Sequence, residues 1–179
     1  MKEVYHSSKE QGMIKLIPQE STHGKKWVYA CKDMVMAAVF LNRYLGDFSC
    51  SVGRDKETGK PYICERFENA FDLRYNSKKG SIYVLPGDKF LENLTSWGEE
   101  LISPEEIVPS NEIKVENVKE YLLDLEKNKK LIIKYFPEKI AGIPEDDSDL
   151  IRKAIKWDAL NIIKEFHPHL LQRIVDKLK

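Results

Sequence analysis

The chain changes its hydrophobic periodicity near residue 115. Before that point, short apolar runs alternate with Gly, Pro, Asn and Asp, a pattern that predicts β-strands. We expect strands over Glu3–His6, Trp27–Ala30, Phe48–Val52, Tyr62–Phe67, Ser81–Leu85, Glu100–Ser103 and Glu112–Val115. After that point, apolar residues follow helical spacing. The pattern predicts an α+β fold with a β-rich core over residues 1–115 and a helical region over residues 116–179.

One helix is predicted inside the β-rich region, over residues 33–45. Asp33 can cap its first turn, and the apolar residues that follow keep helical spacing until Gly46, which we expect to end the helix. The charged stretch GRDKETGKP, which lies between Val52 and Tyr62, predicts a hairpin loop.

The helical region is expected to begin near Asn117 with a helix that continues until Pro137. A linker follows, and Asp147 or Ser148 is expected to cap a second helix that runs through residue 166. Pro168 predicts a break before the last helix.

Composition excludes several classes of function. The 29 basic and 29 acidic residues cancel, so no global field favours nucleic acid or an anionic membrane. No apolar run is long enough to span a bilayer and no signal peptide is apparent, so we expect a cytoplasmic protein without a membrane partner. The three cysteines have no metal-like spacing, and we expect reduced thiols and no metal site.

Two stretches carry chemistry near the start of the chain. The first predicted strand ends in His6, Ser7 and Ser8. An imidazole can hydrogen-bond a ribose hydroxyl, and the backbone beside it can pair with a carboxamide, although many histidines at strand ends only pack. The second stretch, GKKWVYACKDMVMAAVF, predicts a turn at Gly24, a strand that contains Tyr29, and a helix that carries Phe40.

These stretches resemble the first two motifs of ADP-ribosyltransferases of the diphtheria toxin and poly(ADP-ribose) polymerase type. The resemblance implies that His6 and Ser8 contact the two riboses of NAD and that the backbone of Ser7 contacts the carboxamide. Ser7 stands where the family usually has glycine. The resemblance also implies that Tyr29 and Phe40 stack on the two faces of the nicotinamide ring, a flat ring that aromatic side chains hold well.

The third motif of that family is a glutamate that opens a late strand, and the stretch WGEELISPEEIVP resembles it. The resemblance implies that this carboxylate stabilises the positive charge that develops on the ribose as nicotinamide leaves. Alternation places Glu99 and Glu100 on opposite faces of a strand, so one of them faces the site. We predict that this residue is Glu100, because Glu-x-(Ile/Val)-Ser is the commoner form of this motif in that family.

The resemblance implies a split β core in which two small antiparallel sheets form a cleft for NAD. It implies that NAD is a substrate and that ADP-ribose is transferred to an acceptor, which can be a protein, a nucleic acid or a small molecule. An alternative stays open, in which the chain keeps this fold as a non-catalytic nucleotide-binding or protein-interaction module. The sequence predicts neither the acceptor nor the oligomeric state.

Overall fold

The computed structural model describes residues 3–20, 25–95 and 97–178. Helices and mostly antiparallel strands are combined, so the predicted α+β class is confirmed. The strands are β1 (Glu3–Ser8), β2 (Gln19–Glu20), β3 (Lys26–Cys31), β4 (Cys50–Arg54), β5 (Pro61–Glu65), β6 (Gly80–Pro86), β7 (Glu100–Ser103), β8 (Asn111–Val115) and β9 (Ile132–Lys134). The helices are α1 (Met34–Ala38), α2 (Ala70–Tyr75), α3 (Val118–Lys127), α4 (Ser148–Lys156), α5 (Leu160–Phe166) and α6 (Leu171–Leu178).

The chain divides into two compact units that are interleaved in sequence. Unit 1 contains residues 1–42 and 75–128, and unit 2 contains residues 43–74 and 129–179. This division differs from the predicted boundary after residue 115. It differs because the hairpin β4–β5 pairs with β9, a strand that follows α3, so that two distant segments build the second unit.

Unit 1 is built on a sheet with the strand order β2-β3-β1-β6-β8, and β7 also pairs with β3. The ladder between β1 and β6 covers all of β1. The register between β1 and β3 in the described residues is the pair Tyr5 and Cys31, whereas β2 pairs with the start of β3. β3 therefore pairs with different strands along its length.

The two faces of this sheet differ in what covers them. One face carries an apolar cluster made of Val4, Leu16, Val28, Ala30, Tyr83, Leu85, Phe90, Leu101 and Ile107. α1 contacts β1, β3 and β6. Leu41, which follows α1, lies beside Gly80 on β6, and Ile82 lies on the same side of β6 as Gly80. Since Ile82 pairs with Ser7, the α1 segment covers the opposite face, which we call the α1 face.

α1 is shorter than the predicted helix over residues 33–45. Asp33 caps it as expected, because its carboxylate accepts a hydrogen bond from the Val35 amide at 2.8 Å. The next turn tightens, since the Phe40 amide donates to Ala37 three residues back. Gly46 does not end α1 but begins a short 3-10 helix, Gly46–Phe48.

The predicted helix from Asn117 to Pro137 is also wrong in its second half. Asn117 caps α3 through its side chain, but the helix ends at Lys127, and Lys129 has a φ of 58°. The β-branched residues that follow form β9, which pairs in parallel with β5. Tertiary pairing therefore decides the structure of a segment whose local pattern also fits a helix.

Unit 2 packs its C-terminal helices around a second apolar cluster, made of Phe48, Leu150, Ile151, Ala154, Ile163, Leu170 and Ile174. The helix predicted from residue 148 through 166 is two helices, α4 and α5, because Asp158 has a φ of 51° between them. Asp147 precedes α4 without a capping hydrogen bond from its side chain. The predicted break at Pro168 is confirmed.

A buried arginine ties the end of β5 to the start of α4. The Arg66 side chain is fully buried, and its guanidinium donates to both carboxylate oxygens of Asp149 at 2.8 Å. It also donates to Asp147 and to the Ser51 hydroxyl. These bonds hold the pKa of Asp149 at about 2, although burial alone would raise it.

None of the helices described here has the length and apolar character needed to cross a membrane. The three cysteines are buried free thiols, and burial raises the pKa of Cys50 to about 12. Burial also raises the pKa of Cys64, so both of these thiols stay protonated at neutral pH.

Candidate functional site

His6 is fixed by a hydrogen bond from its side chain to the neighbouring strand. Its Nδ1 lies 2.6 Å from the backbone carbonyl oxygen of Tyr29. Because a carbonyl can only accept, Nδ1 is the donor of this bond and carries a proton. The structure thus brings two of the predicted site residues into direct contact and selects the tautomer of His6.

The α1 face carries Ser7, Tyr29 and Glu100, whereas His6 and Ser8 alternate with Ser7 along β1 and lie on the face of the apolar cluster. Tyr5, Cys31 and Glu100 form one row across β1, β3 and β7 through direct pairing. Tyr29 lies two residues from Cys31 on β3, and Ser7 lies two residues from Tyr5 on β1, so both share that face. Tyr29 and Glu100 are therefore diagonal neighbours across one strand pair, within reach of a single ligand.

Glu100 opens β7 as the sequence predicts, and its side chain is half-buried. Its amide donates to the carbonyl of Trp97 at 3.0 Å, which closes a turn just before the strand. Glu99 lies in that turn and outside the strand. Because Glu100 pairs with Cys31, Glu100 and not Glu99 lies on the α1 face.

Phe40 follows α1 and packs against Trp97, a residue outside the predicted motifs. Its ring meets the ring of Trp97 edge to face, with centroids 5.3 Å apart and planes at 72°. The carbonyl of Val39, the residue before it, accepts a 2.8 Å hydrogen bond from the buried Tyr75 hydroxyl. Phe40 is thus positioned by a ring contact and by an anchored backbone.

Ser7 and Ser8 end β1 with different surroundings. Ser7 pairs with Ile82 and lies on the α1 face, whereas Ser8 pairs with Ser81 and lies on the face of His6. The Ser8 hydroxyl accepts a hydrogen bond from the Glu10 amide at 3.1 Å, and its own proton can still be donated. Gly24, the predicted turn before β3, lies outside the described residues.

Tyr83 supports His6 from the neighbouring strand. It pairs directly with His6, and their ring centroids lie 6.4 Å apart. Its buried hydroxyl donates to the Glu10 carbonyl at 2.8 Å and accepts from the Met13 amide at 3.0 Å. Burial raises the pKa of Tyr83, so the phenol stays protonated at neutral pH. This contact was not predicted, because β1–β6 pairing cannot be read from either stretch alone.

Glu112 holds the segment that follows β1 in place. Its carboxylate accepts from the Gly12 amide at 2.7 Å and from the Ser81 hydroxyl at 2.6 Å. The Gly12 amide, followed by Ser81, holds the pKa of Glu112 below its ordinary value. The segment that leaves β1 is thus tied back across the sheet beside His6.

A second tryptophan extends the aromatic surface along β3. Trp27 contacts Tyr29 edge to face with ring centroids 6.1 Å apart, and the ammonium of Lys25 lies 5.6 Å from the centre of the Trp27 ring. Both tryptophans were visible in the sequence beside the predicted motifs. An aromatic residue next to a strand is a weak signal, and only the ring contacts single these two out.

Within residues 3–20, 25–95 and 97–178, no cluster of three or more His, Cys, Asp or Glu side chains is arranged to hold a metal ion. Comparison with known proteins gives no matching family model, no matching curated protein and no matching solved structure. A function for this site must therefore be argued from its own geometry.

Proposed function

We propose that the chain is an NAD-dependent ADP-ribosyltransferase, which transfers ADP-ribose from NAD to an acceptor and releases nicotinamide. We also propose that unit 1 has the fold of that family. One observation carries the proposal. The strand tyrosine and the strand-opening glutamate share the α1 face as diagonal neighbours, and the histidine of β1 is locked to the backbone of the same tyrosine.

The aromatic residues suit the nicotinamide end of NAD. Tyr29 is half-buried on β3, and Phe40 is half-buried after the helix that covers the same face. Rings in such positions bind a flat, electron-poor ring by offset stacking and need no hydrogen bond to its edge. Release of that ring as neutral nicotinamide then leaves the ribose between the aromatic residues and the glutamate.

His6 is suited to bind a ribose of NAD through a hydrogen bond. Its Nδ1 donates to the Tyr29 carbonyl, so in the neutral ring Nε2 is the atom that can accept a ribose hydroxyl proton. Because the imidazole is held before the substrate arrives, little side-chain entropy is lost on binding. Ser8, on the same face of β1, adds a hydroxyl that can donate.

Glu100 suits the charge that develops during the reaction. As the bond between nicotinamide and ribose breaks, positive charge grows on the ribosyl centre, and a carboxylate fixed beside it lowers the barrier. Glu100 is held by pairing with Cys31 and by the turn that its amide closes with Trp97. The same carboxylate can accept a proton from the attacking acceptor hydroxyl.

NAD binding tests the ground-state part of this proposal. Titration with NAD should raise the melting temperature of the wild type, because a ligand that binds only the folded state stabilises it by mass action. Phe40→Ala should weaken binding by about 1–3 kcal/mol, since an aromatic stacking partner is lost. Calorimetry measures the dissociation constants directly.

The double variant His6→Ala, Phe40→Ala should bind NAD more weakly still. His169→Ala is the matched control, because that imidazole is 61% exposed and belongs to unit 2. Equal NAD affinity in the wild type and the double variant would contradict the proposed site. Binding of NAD without its cleavage would favour the non-catalytic nucleotide-binding module instead.

A further inference from the structure

We infer that Trp97 is a positioning residue that links the nicotinamide-binding aromatic residue Phe40 to the catalytic carboxylate of Glu100. This inference rests on the proposed function. It goes beyond it by assigning a role to a residue that the motif pattern does not include: the ring of Trp97 contacts Phe40, and its carbonyl contacts the backbone of Glu100.

The ring of Trp97 acts on Phe40. The two centroids are 5.3 Å apart and the planes are tilted by 72°, which is the favourable edge-to-face arrangement of two aromatic rings. Phe40 lies beyond the end of α1, where the helical hydrogen bonds have already shifted to the tighter pattern. Its ring orientation therefore depends on the side chains around it more than on the helix.

The backbone of Trp97 acts on Glu100. The Trp97 carbonyl accepts the Glu100 amide at 3.0 Å and the Thr95 hydroxyl at 3.2 Å. These two bonds fix the turn that precedes β7 and hence the first residue of that strand. Farther along, Ile102 exchanges both backbone hydrogen bonds with Leu91, which holds β7 beside Leu91.

One residue thus contacts the stacking side chain with its ring and the strand-opening glutamate with its carbonyl. Removal of the ring should release Phe40 and leave the backbone turn in place. The expected defect is therefore in NAD binding, with the chemical step largely kept. A residue that only stabilises the fold would instead lower the fraction of active protein, which reduces kcat without changing KM.

The test is a double-mutant cycle between Trp97 and Phe40 in the full chain. We measure the dissociation constant of NAD by calorimetry, and KM and kcat from nicotinamide release. Trp97→Ala should raise the dissociation constant and KM about two- to tenfold, the range of a lost aromatic pair, with kcat within about twofold. Trp97→Phe keeps a ring at this position and should restore most of the affinity.

In a Phe40→Ala background, Trp97→Ala should add less than about twofold, because the side chain through which it acts is absent. Full additivity of the two changes, or a Trp97→Ala variant that is folded and binds NAD like the wild type, would overturn the positioning role while leaving the proposed function intact. Failure of the wild type to bind NAD would instead overturn the proposed function, and this role with it.

Discussion

At the scale of single residues, the site depends on a few backbone groups that hold side chains in place. The Tyr29 carbonyl fixes the tautomer of His6, and the Tyr75 hydroxyl anchors the carbonyl before Phe40. Such preorganisation matters because each side chain that is already ordered lowers the entropic cost of binding. Close backbone packing likewise holds the end of β1, beside Gly80.

Gly80 allows a close approach between β6 and the end of β1. A Cβ atom at this position would lie 2.5 Å from the backbone oxygen of Ser8 and 3.1 Å from Leu41. Gly80→Ala must therefore move the strand end, and we expect a loss of about 1–3 kcal/mol in the free energy of unfolding, measured with urea. Weaker NAD binding should accompany it, because Ser7 and Ser8 move as well.

Gly98→Ala is the matched control for stability, since a Cβ there meets nothing within 4 Å. It should unfold at nearly the same urea concentration as the wild type. If Gly80→Ala were as stable as Gly98→Ala and bound NAD normally, the close approach at the end of β1 would have no role in the site.

At the scale of elements, long-range pairing explains where sequence patterns fail. The predicted strands of unit 1 and the β4–β5 hairpin are found close to their predicted positions. β9 was predicted as helix, because an apolar run such as Leu131–Ile133 fits both periods. Its pairing with β5 joins segments far apart in sequence, and that information is absent from a local window.

The candidate site, too, could be predicted only in part from local sequence patterns. His6, Tyr29 and Glu100 lie on the strands that were expected to carry them, whereas Phe40 lies beyond the end of α1 and Glu99 lies in a turn. Trp97 and Tyr83 could not be chosen from the sequence, because their roles come from one contact across the sheet and one across a loop. Local patterns predicted the elements, whereas tertiary contacts determine which side chains support the site.

The link between β5 and α4 gives a prediction for unit 2. Asp149→Asn removes a charge that faces the buried Arg66, while Asp147 remains. We expect a loss near the lower end of about 3–5 kcal/mol, the range for breaking a buried ion pair. Asp146→Asn is the control, since Asp146 pairs with Arg173 at an exposed position and should cost less.

The pH dependence of stability offers a second measurement on the same variant. The pKa of Asp149 is about 2 in the folded chain and 3.8 as its ordinary value. The unfolded chain therefore binds the proton first, so this stabilisation is complete above pH 3.8 and is lost as the pH falls toward 2. Asp149→Asn should flatten the stability curve in that window, and an unchanged curve would contradict the role of the pair.

At the scale of the whole molecule, the site residues belong to one unit although the chain interleaves two. His6, Tyr29, Phe40 and Glu100 all lie in unit 1, which the chain leaves at residue 42 and re-enters at residue 75. Unit 2 contributes none of the residues that the proposal uses. Tyr29, Phe40 and Glu100 belong to the α1 face, whereas His6 lies on the other face of the same sheet and contacts Tyr29 through its backbone carbonyl.

The central claim is that Glu100 stabilises charge that exists only in the transition state. Nicotinamide release should therefore fall about 10²-fold or more in Glu100→Gln, which keeps the volume and one oxygen but loses the charge, while NAD affinity stays within about twofold. Glu99→Gln should turn over like the wild type, because Glu99 lies in the turn before β7. Wild-type turnover in Glu100→Gln, or loss of turnover in Glu99→Gln alone, would contradict the account.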